Sequence, residues 1–185
     1  MVAADTIVAT ATPFGVSGLA VVRISGHSAL TIFSKVCGSK NNPCPEFIPR
    51  QATRVIIHTQ GTPVDDAIAT WFKAPRSYTG EDVVEISCHG SMAITEALVE
   101  EICTHGARIA EAGEFTRRAF LNGKLDLVQA ESVAGLINSQ SIESSKLNYR
   151  MLRGALSDKL HDLRNQIIEL LAEVEFELDI SEDDL

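Results

Sequence analysis

Three ionic side chains stand where a binding site can be built: Arg23, Glu85 and Lys124. Arg23 lies within the apolar run Val21-Val22-Arg23-Ile24, and Glu85 within Val83-Val84-Glu85-Ile86. Side chains alternate between the faces of a strand, so Glu85 falls opposite Val84 and Ile86. Lys124 follows Asn122-Gly123, between two helical runs. A buried or half-buried carboxylate and two cations from separate segments would make a constellation suited to a zwitterionic or anionic heterocycle. The pattern leaves other roles open. Arg23 and Glu85 also fit an edge-strand charge, a structural ion pair or a solvated strand face, and Lys124 fits a solvated turn lysine.

Other chemistries find no footing. The only fragment resembling a phosphate loop is Gly123-Lys124. A Walker loop needs glycine five residues earlier and Ser or Thr next, where this chain has Arg118 and Leu125. There is no G-x-G-x-x-G, so GTP binding and hydrolysis are not expected of these residues. The histidines (His27, His58, His89, His105, His161) form no H-E-x-x-H, and adjacent Cys88 and His89 point to opposite faces of a strand. No metal site is expected. Cys37, Cys44, Cys88 and Cys103 contain no C-x-x-C pair and read as free thiols in a reducing compartment.

The elements that must position these residues follow from periodicity. The first ~120 residues alternate strand-like and helix-like runs. Strands are expected over Thr6–Ala11, Leu19–Ile24, Arg54–Thr59, Ala67–Phe72 and Val83–Ser87, and helices over Ser28–Val36 and Met92–Thr104. Asn41–Pro49, with three prolines, reads as loop, and Gly61-Thr62-Pro63 as a hairpin link. From Phe115 onward proline disappears. Leu127, Ala130, Ala134 and Ile137 form one helical stripe, and Leu152 through Leu178 a second. The fold class is α+β: strands and helices over residues 1–120, then an α-helical segment over 121–185.

Composition agrees with a globular chain: 45% hydrophobic, 22% charged, net charge −9. Residues 169–185 hold eight acids and no base, leaving 17 acids and 16 bases in the other 168 residues. Neither part forms a broad phosphate-binding surface. Acids at a helix C-terminus oppose the helix dipole, so the last helix is expected to unwind near Ile180 into a link to further protein. No apolar run is long enough to span a membrane. Met1–Thr6 lacks the early positive charge of a signal peptide, and the expected location is the cytoplasm.

Four ordered strings are similar to one family. Asp5 to Pro13, Val22-Arg23-Ile24-Ser25-Gly26, Ser77 to Glu85 with His89-Gly90, and Ala112 to Leu127 with Gln129-Ala130-Glu131 resemble the MnmE (TrmE) family of tRNA-modification GTPases. The resemblance covers nearly the whole chain. It implies a mixed-sheet, tetrahydrofolate-binding, aminomethyltransferase-like fold for 1–120, serving folate binding and dimerisation. Residues 121–185 would then be the first part of a central helical domain.

The implied activity is modification of carbon 5 of the wobble uridine (position 34) of tRNA. It would proceed as a homodimer with the flavin-dependent MnmG protein, using 5-formyltetrahydrofolate or 5,10-methylenetetrahydrofolate. GTP, magnesium and potassium would belong to a GTPase domain absent from these residues, and tRNA would be held mainly outside them. The family's folate contacts fall on Arg23, Glu85 and Lys124. Two positions depart from the pattern: Ser91 replaces a usual glycine, and Gly15-Val16-Ser17-Gly18 lacks a basic residue common in relatives. The competing readings are a dimerisation scaffold without folate and a free-standing folate-dependent aminomethyltransferase.

Overall fold

The computed structural model describes residues 5–38 and 43–183, with side chains as far as Leu178. Met1–Ala4, Asn41-Asn42 of the expected loop and Asp184 of the acidic tail lie outside them. The chain divides into two compact units, Met1–Lys124 and Leu125–Leu185.

The first unit is built on a six-stranded sheet in the order β3-β4-β5-β2-β1-β6. Its strands are β1 (Thr6–Thr10), β2 (Ser17–Ser25), β3 (Ala52–Thr59), β4 (Thr62–Phe72), β5 (Val83–Gly90) and β6 (Ala107–Ile109). All neighbours are antiparallel except β1 and β6, which run parallel with Thr6 opposite Ala107. The alternation read in β2 and β5 places Val22, Ile24, Val84 and Ile86 on one face. There they meet Ile32, Phe33 and Val36 of α1 (Ala29–Val36) and Leu98 and Ile102 of α2 (Met92–Thr104). Each fully buried large aliphatic or aromatic side chain stabilises the fold by about 1.5–3 kcal/mol. Arg23 and Glu85 belong to the opposite face. Helix α3 (Glu114–Leu121) ends the unit.

The second unit holds α4 (Leu127–Ile137), α5 (Ile142–Leu152) and α6 (Ala155–Asp183). A capping box starts α4: Asp126 Oδ1 accepts from the Gln129 N–H, and Gln129 Oε1 accepts from the Asp126 N–H, each at 2.9 Å. Ser141 caps α5 in the same way, accepting from Ser144 N–H at 3.1 Å. Where α4 meets α5, Gly135 packs directly against the Asn148 amide, and any Cβ there would overlap it.

Four expectations need correction. The hairpin turns at Gln60-Gly61, because Thr59 pairs with Thr62. The stripe from Leu152 to Leu178 is interrupted: α5 ends at Leu152, and Gly154 takes φ 91°, a left-handed value that glycine adopts without steric cost, before α6 begins. Helix α6 does not unwind near Ile180 but continues to Asp183. No glycine or proline lies between Ala155 and Asp183, and acids at a C-terminus cost only a few tenths of a kcal/mol each. Finally, Cys37 and Cys44 form a disulfide, with Cα atoms 5.4 Å apart. Cys37 closes α1 and the proline-rich chain returns beside it, a proximity set by tertiary packing that the spacing does not encode. Cys88 and Cys103 are free.

Candidate functional site

Arg23 of β2 and Glu85 of β5 are direct cross-strand partners. Arg23 Nε donates to Glu85 Oε1 at 2.9 Å, and Nη2 lies 2.7 Å from the same oxygen. Their side chains are 26% and 31% exposed. Rings cover the guanidinium: its carbon lies 5.4 Å from the Tyr78 centroid and 5.5 Å from that of Phe115, within cation–π range. Tyr78 is tied to α3 through a 2.9 Å hydrogen bond between its hydroxyl and that of Thr116. Ala9 of β1 flanks Arg23 and Thr70 of β4 flanks Glu85, giving the floor two small neighbours.

Among the described residues, no hydrogen bond engages Glu85 Oε2 or Arg23 Nη1. The pair therefore presents an acceptor beside a donor, half-shielded from water. Such an edge can bind a planar group carrying a donor and an acceptor on one side.

The roof is held by an ionic network that the sequence reading did not single out. Glu114, 1% exposed, accepts from Arg108 Nη2 at 2.6 Å and Nη1 at 2.8 Å, and from Arg118 Nη2 at 3.0 Å. Arg118, itself buried, also donates to Asp5 Oδ1 at 2.8 Å and to both oxygens of Glu81 at 3.2 Å. Glu81 accepts from Ser25 Oγ at 2.7 Å. This network fastens α3 and the loop from Lys73 to Asp82 to the sheet, and so fixes Phe115 and Tyr78 above Arg23. The hydrogen bonds from Arg108 hold the Glu114 carboxyl at about 2, against an ordinary 4.5. Burial works to raise Asp5, but hydrogen bonds from Arg108 and Arg118 outweigh it and lower its pKa. The one local signal for the network was Glu114 and Arg118 at helical i, i+4 spacing.

Lys124 lies in an exposed turn. Its Nζ donates to the Pro75 carbonyl at 3.1 Å, and its stem packs against Gly80, where a Cβ would come within 3.3 Å of Lys124 Cγ. It thus contacts the same loop that carries Tyr78, but no hydrogen bond or ion pair joins it to Arg23 or Glu85 among the described residues. The three expected residues resolve into a close pair and a cation bound to their shared loop. His89 is exposed and Cys88 buried, and His89 Nδ1 lies 2.6 Å from Asp65 Oδ1. Among the described residues there is no group of three or more metal-ligating side chains, and no helix is long and apolar enough to cross a membrane.

Comparison with known proteins adds to this geometry. Residues 6–124 match the family described as GTP-binding protein TrmE N-terminus, and residues 127–185 match the MnmE helical domain. The chain is similar to the tRNA modification GTPase MnmE of Thermotoga petrophila, with 46% identity over 175 residues, 95% of this chain and 38% of that protein. It is also similar to the protein of the same name from Cytophaga hutchinsonii, at 47% identity over 182 residues, 98% and 39% of the two chains. The one from Bdellovibrio bacteriovorus is 45% identical over 184 residues, 96% and 37%. The chain thus spans a little over a third of the length of these relatives.

Proposed function

Because the chain belongs to the TrmE N-terminus family and runs on into the MnmE helical domain, we propose that it is the folate-binding and dimer-forming part of a tRNA-modification GTPase. The observation that carries this reading is the half-buried Arg23–Glu85 pair with one carboxylate oxygen and one guanidinium nitrogen unengaged beneath Tyr78 and Phe115. A pterin edge offers N–H donors for Glu85 Oε2 and a carbonyl acceptor for Arg23 Nη1. Lys124, anchored to the same loop, suits a carboxylate of the glutamate tail. Tetrahydrofolate held there, as the 5-formyl or 5,10-methylene form, would supply the carbon for the wobble uridine of tRNA. The protein's part is to orient the pterin against the sheet and exclude water from one side of it.

In this proposal the Met1–Lys124 unit binds folate and dimerises, and Leu125–Leu185 opens the helical domain. GTP, magnesium and potassium act in the remaining length of the relatives, and the flavin-dependent MnmG protein supplies the redox step. Exposed apolar side chains suit pairing of two copies through the first unit: Phe14 and Ile109 line one groove, and Val16, just before β2, and Leu19 within it stand exposed.

The test is calorimetric titration of 5-formyltetrahydrofolate into this chain and into Glu85→Ala, with circular dichroism to establish folding. Wild type is expected to bind and the variant to lose at least tenfold in affinity. Equal affinity in folded Glu85→Ala would overturn the site, and no binding by wild type would favour a dimerisation scaffold.

A further inference from the structure

Ten basic side chains of the first unit are described, and they fall into two groups. Arg23, Arg54, Arg108, Arg117 and Arg118 each pair with a carboxylate. Among the described residues, Lys35, Arg50, Lys73, Arg76 and Lys124 do not. Four of these five gather at one place. Arg50, Lys73 and Arg76 line a groove of about 390 Å³ with Pro49, Ala74 and Pro75, and Lys124 Nζ sits 3.1 Å from the Pro75 carbonyl. All four side chains are exposed.

Among the described residues, none of the four forms an ion pair; their direct contacts are with neutral groups. Arg50 Nη2 donates to the Arg76 carbonyl at 2.8 Å, a neutral acceptor, as Pro75 is for Lys124. Lys73 lies over the Trp71 ring, 5.9 Å from its centroid. The loops themselves are pinned. Arg50 holds φ 66°, a left-handed value unusual outside glycine, and its N–H donates to the Trp71 carbonyl at 2.7 Å. Ala74 N–H donates to Asp82 Oδ1 at 2.8 Å. The unit as a whole carries 11 bases and 12 acids, so this is a local concentration of positive charge on a near-neutral body.

We propose that the Arg50–Lys73–Arg76 groove binds the phosphodiester backbone of RNA. The proposal rests on the reading of the chain as part of a tRNA-modifying enzyme. With Lys124 assigned to the glutamate tail, three exposed cations from two segments line the groove, and they suit a run of phosphates, which cations neutralise one by one. No aromatic ring lines the groove, so the contact positions RNA without reading bases. The loop runs from Lys73 directly into Tyr78, the roof of the Arg23–Glu85 pair. RNA held here therefore lies along the loop that covers the candidate folate site.

The test measures fluorescence anisotropy of a labelled anticodon stem–loop RNA with the 185-residue chain, between about 50 and 200 mM KCl. Wild type is expected to bind with an affinity that falls steeply with salt. Lys73→Ala/Arg76→Ala should lower the slope of log affinity against log salt by about 2. Lys35→Ala, which removes an exposed cation outside the groove, should keep the wild-type slope. Thermal melts establish folding, and Arg76→Glu provides a second route if the double variant unfolds. Absence of RNA binding by wild type, or a wild-type slope in the folded groove variants, overturns the proposal. So does a groove variant that loses 5-formyltetrahydrofolate but keeps RNA, which would make the groove a folate-tail site. Glu85→Ala separates the two readings: it should lose folate and keep the RNA slope.

Discussion

Arg23 spends two nitrogens on a single oxygen of Glu85, and that economy leaves an open edge on both residues. Arg23→Lys keeps the positive charge and loses the planar fork. It is expected to weaken 5-formyltetrahydrofolate binding less than Glu85→Ala, which strips the acceptor and leaves ligand donors unpaired at ~1–3 kcal/mol. Calorimetry on the two variants gives the order, and a larger loss in Arg23→Lys would count against Glu85 as the head-group acceptor. Glu114 sits between two arginines at 1% exposure. Replacing it with Gln leaves Arg118 buried and undercompensated, at a cost of about 3–5 kcal/mol in urea unfolding. Its lowered pKa sets a pH window as well. The folded value of about 2 lies below the ordinary 4.5, so its contribution to stability is complete above pH 4.5 and disappears as pH falls towards 2. Urea midpoints of wild type should drop through that window, and those of Glu114→Gln should drop less.

At the scale of elements, strong periodicity was legible and weak or non-local signals were not. Met92–Thr104 was readable residue for residue, because Ile94, Leu98 and Ile102 repeat on one face. The alternation in Val83-Val84-Glu85-Ile86 gave the facing of Glu85 correctly. Strand β6 was missed, since three residues carry no pattern and its strand character comes from pairing with β1. The break at Gly154 was hidden because leucine spacing continues across it. In the candidate site, Arg23 and Glu85 stood out as charges in apolar runs, but their pairing depends on the β2–β5 register, which neither strand encodes alone. Tyr78 and Phe115 were invisible as a roof because the network holding them spans residues 5 to 118. At the α4–α5 crossing, Gly135→Ala would drive a methyl into the Asn148 amide. A loss of about 1–3 kcal/mol is expected, the usual cost of overpacking, with the thermal melt as the readout.

For the molecule as a whole, the proposed assembly predicts a dimer of this chain by sedimentation at tens of micromolar, roughly where a standard interface holds. A monomer there would tell against pairing through the first unit. No GTP turnover is expected from these residues, because Gly123-Lys124 lacks the flanking residues of a phosphate loop, and a malachite-green assay on a clean preparation checks it. The network around Arg118 carries a further consequence, for how the protein is made. Asp5 immediately precedes β1, yet its partners Arg108 and Arg118 are synthesised more than a hundred residues later, and β1 completes its pairing only when Ala107–Ile109 arrives. Contacts of such long sequence separation form late and slowly. On the ribosome, the first strand must wait with one edge bare until nearly the whole first unit has emerged. The nascent chain should therefore stay protease-sensitive until α3 clears the exit tunnel, then become resistant in a single step rather than by degrees.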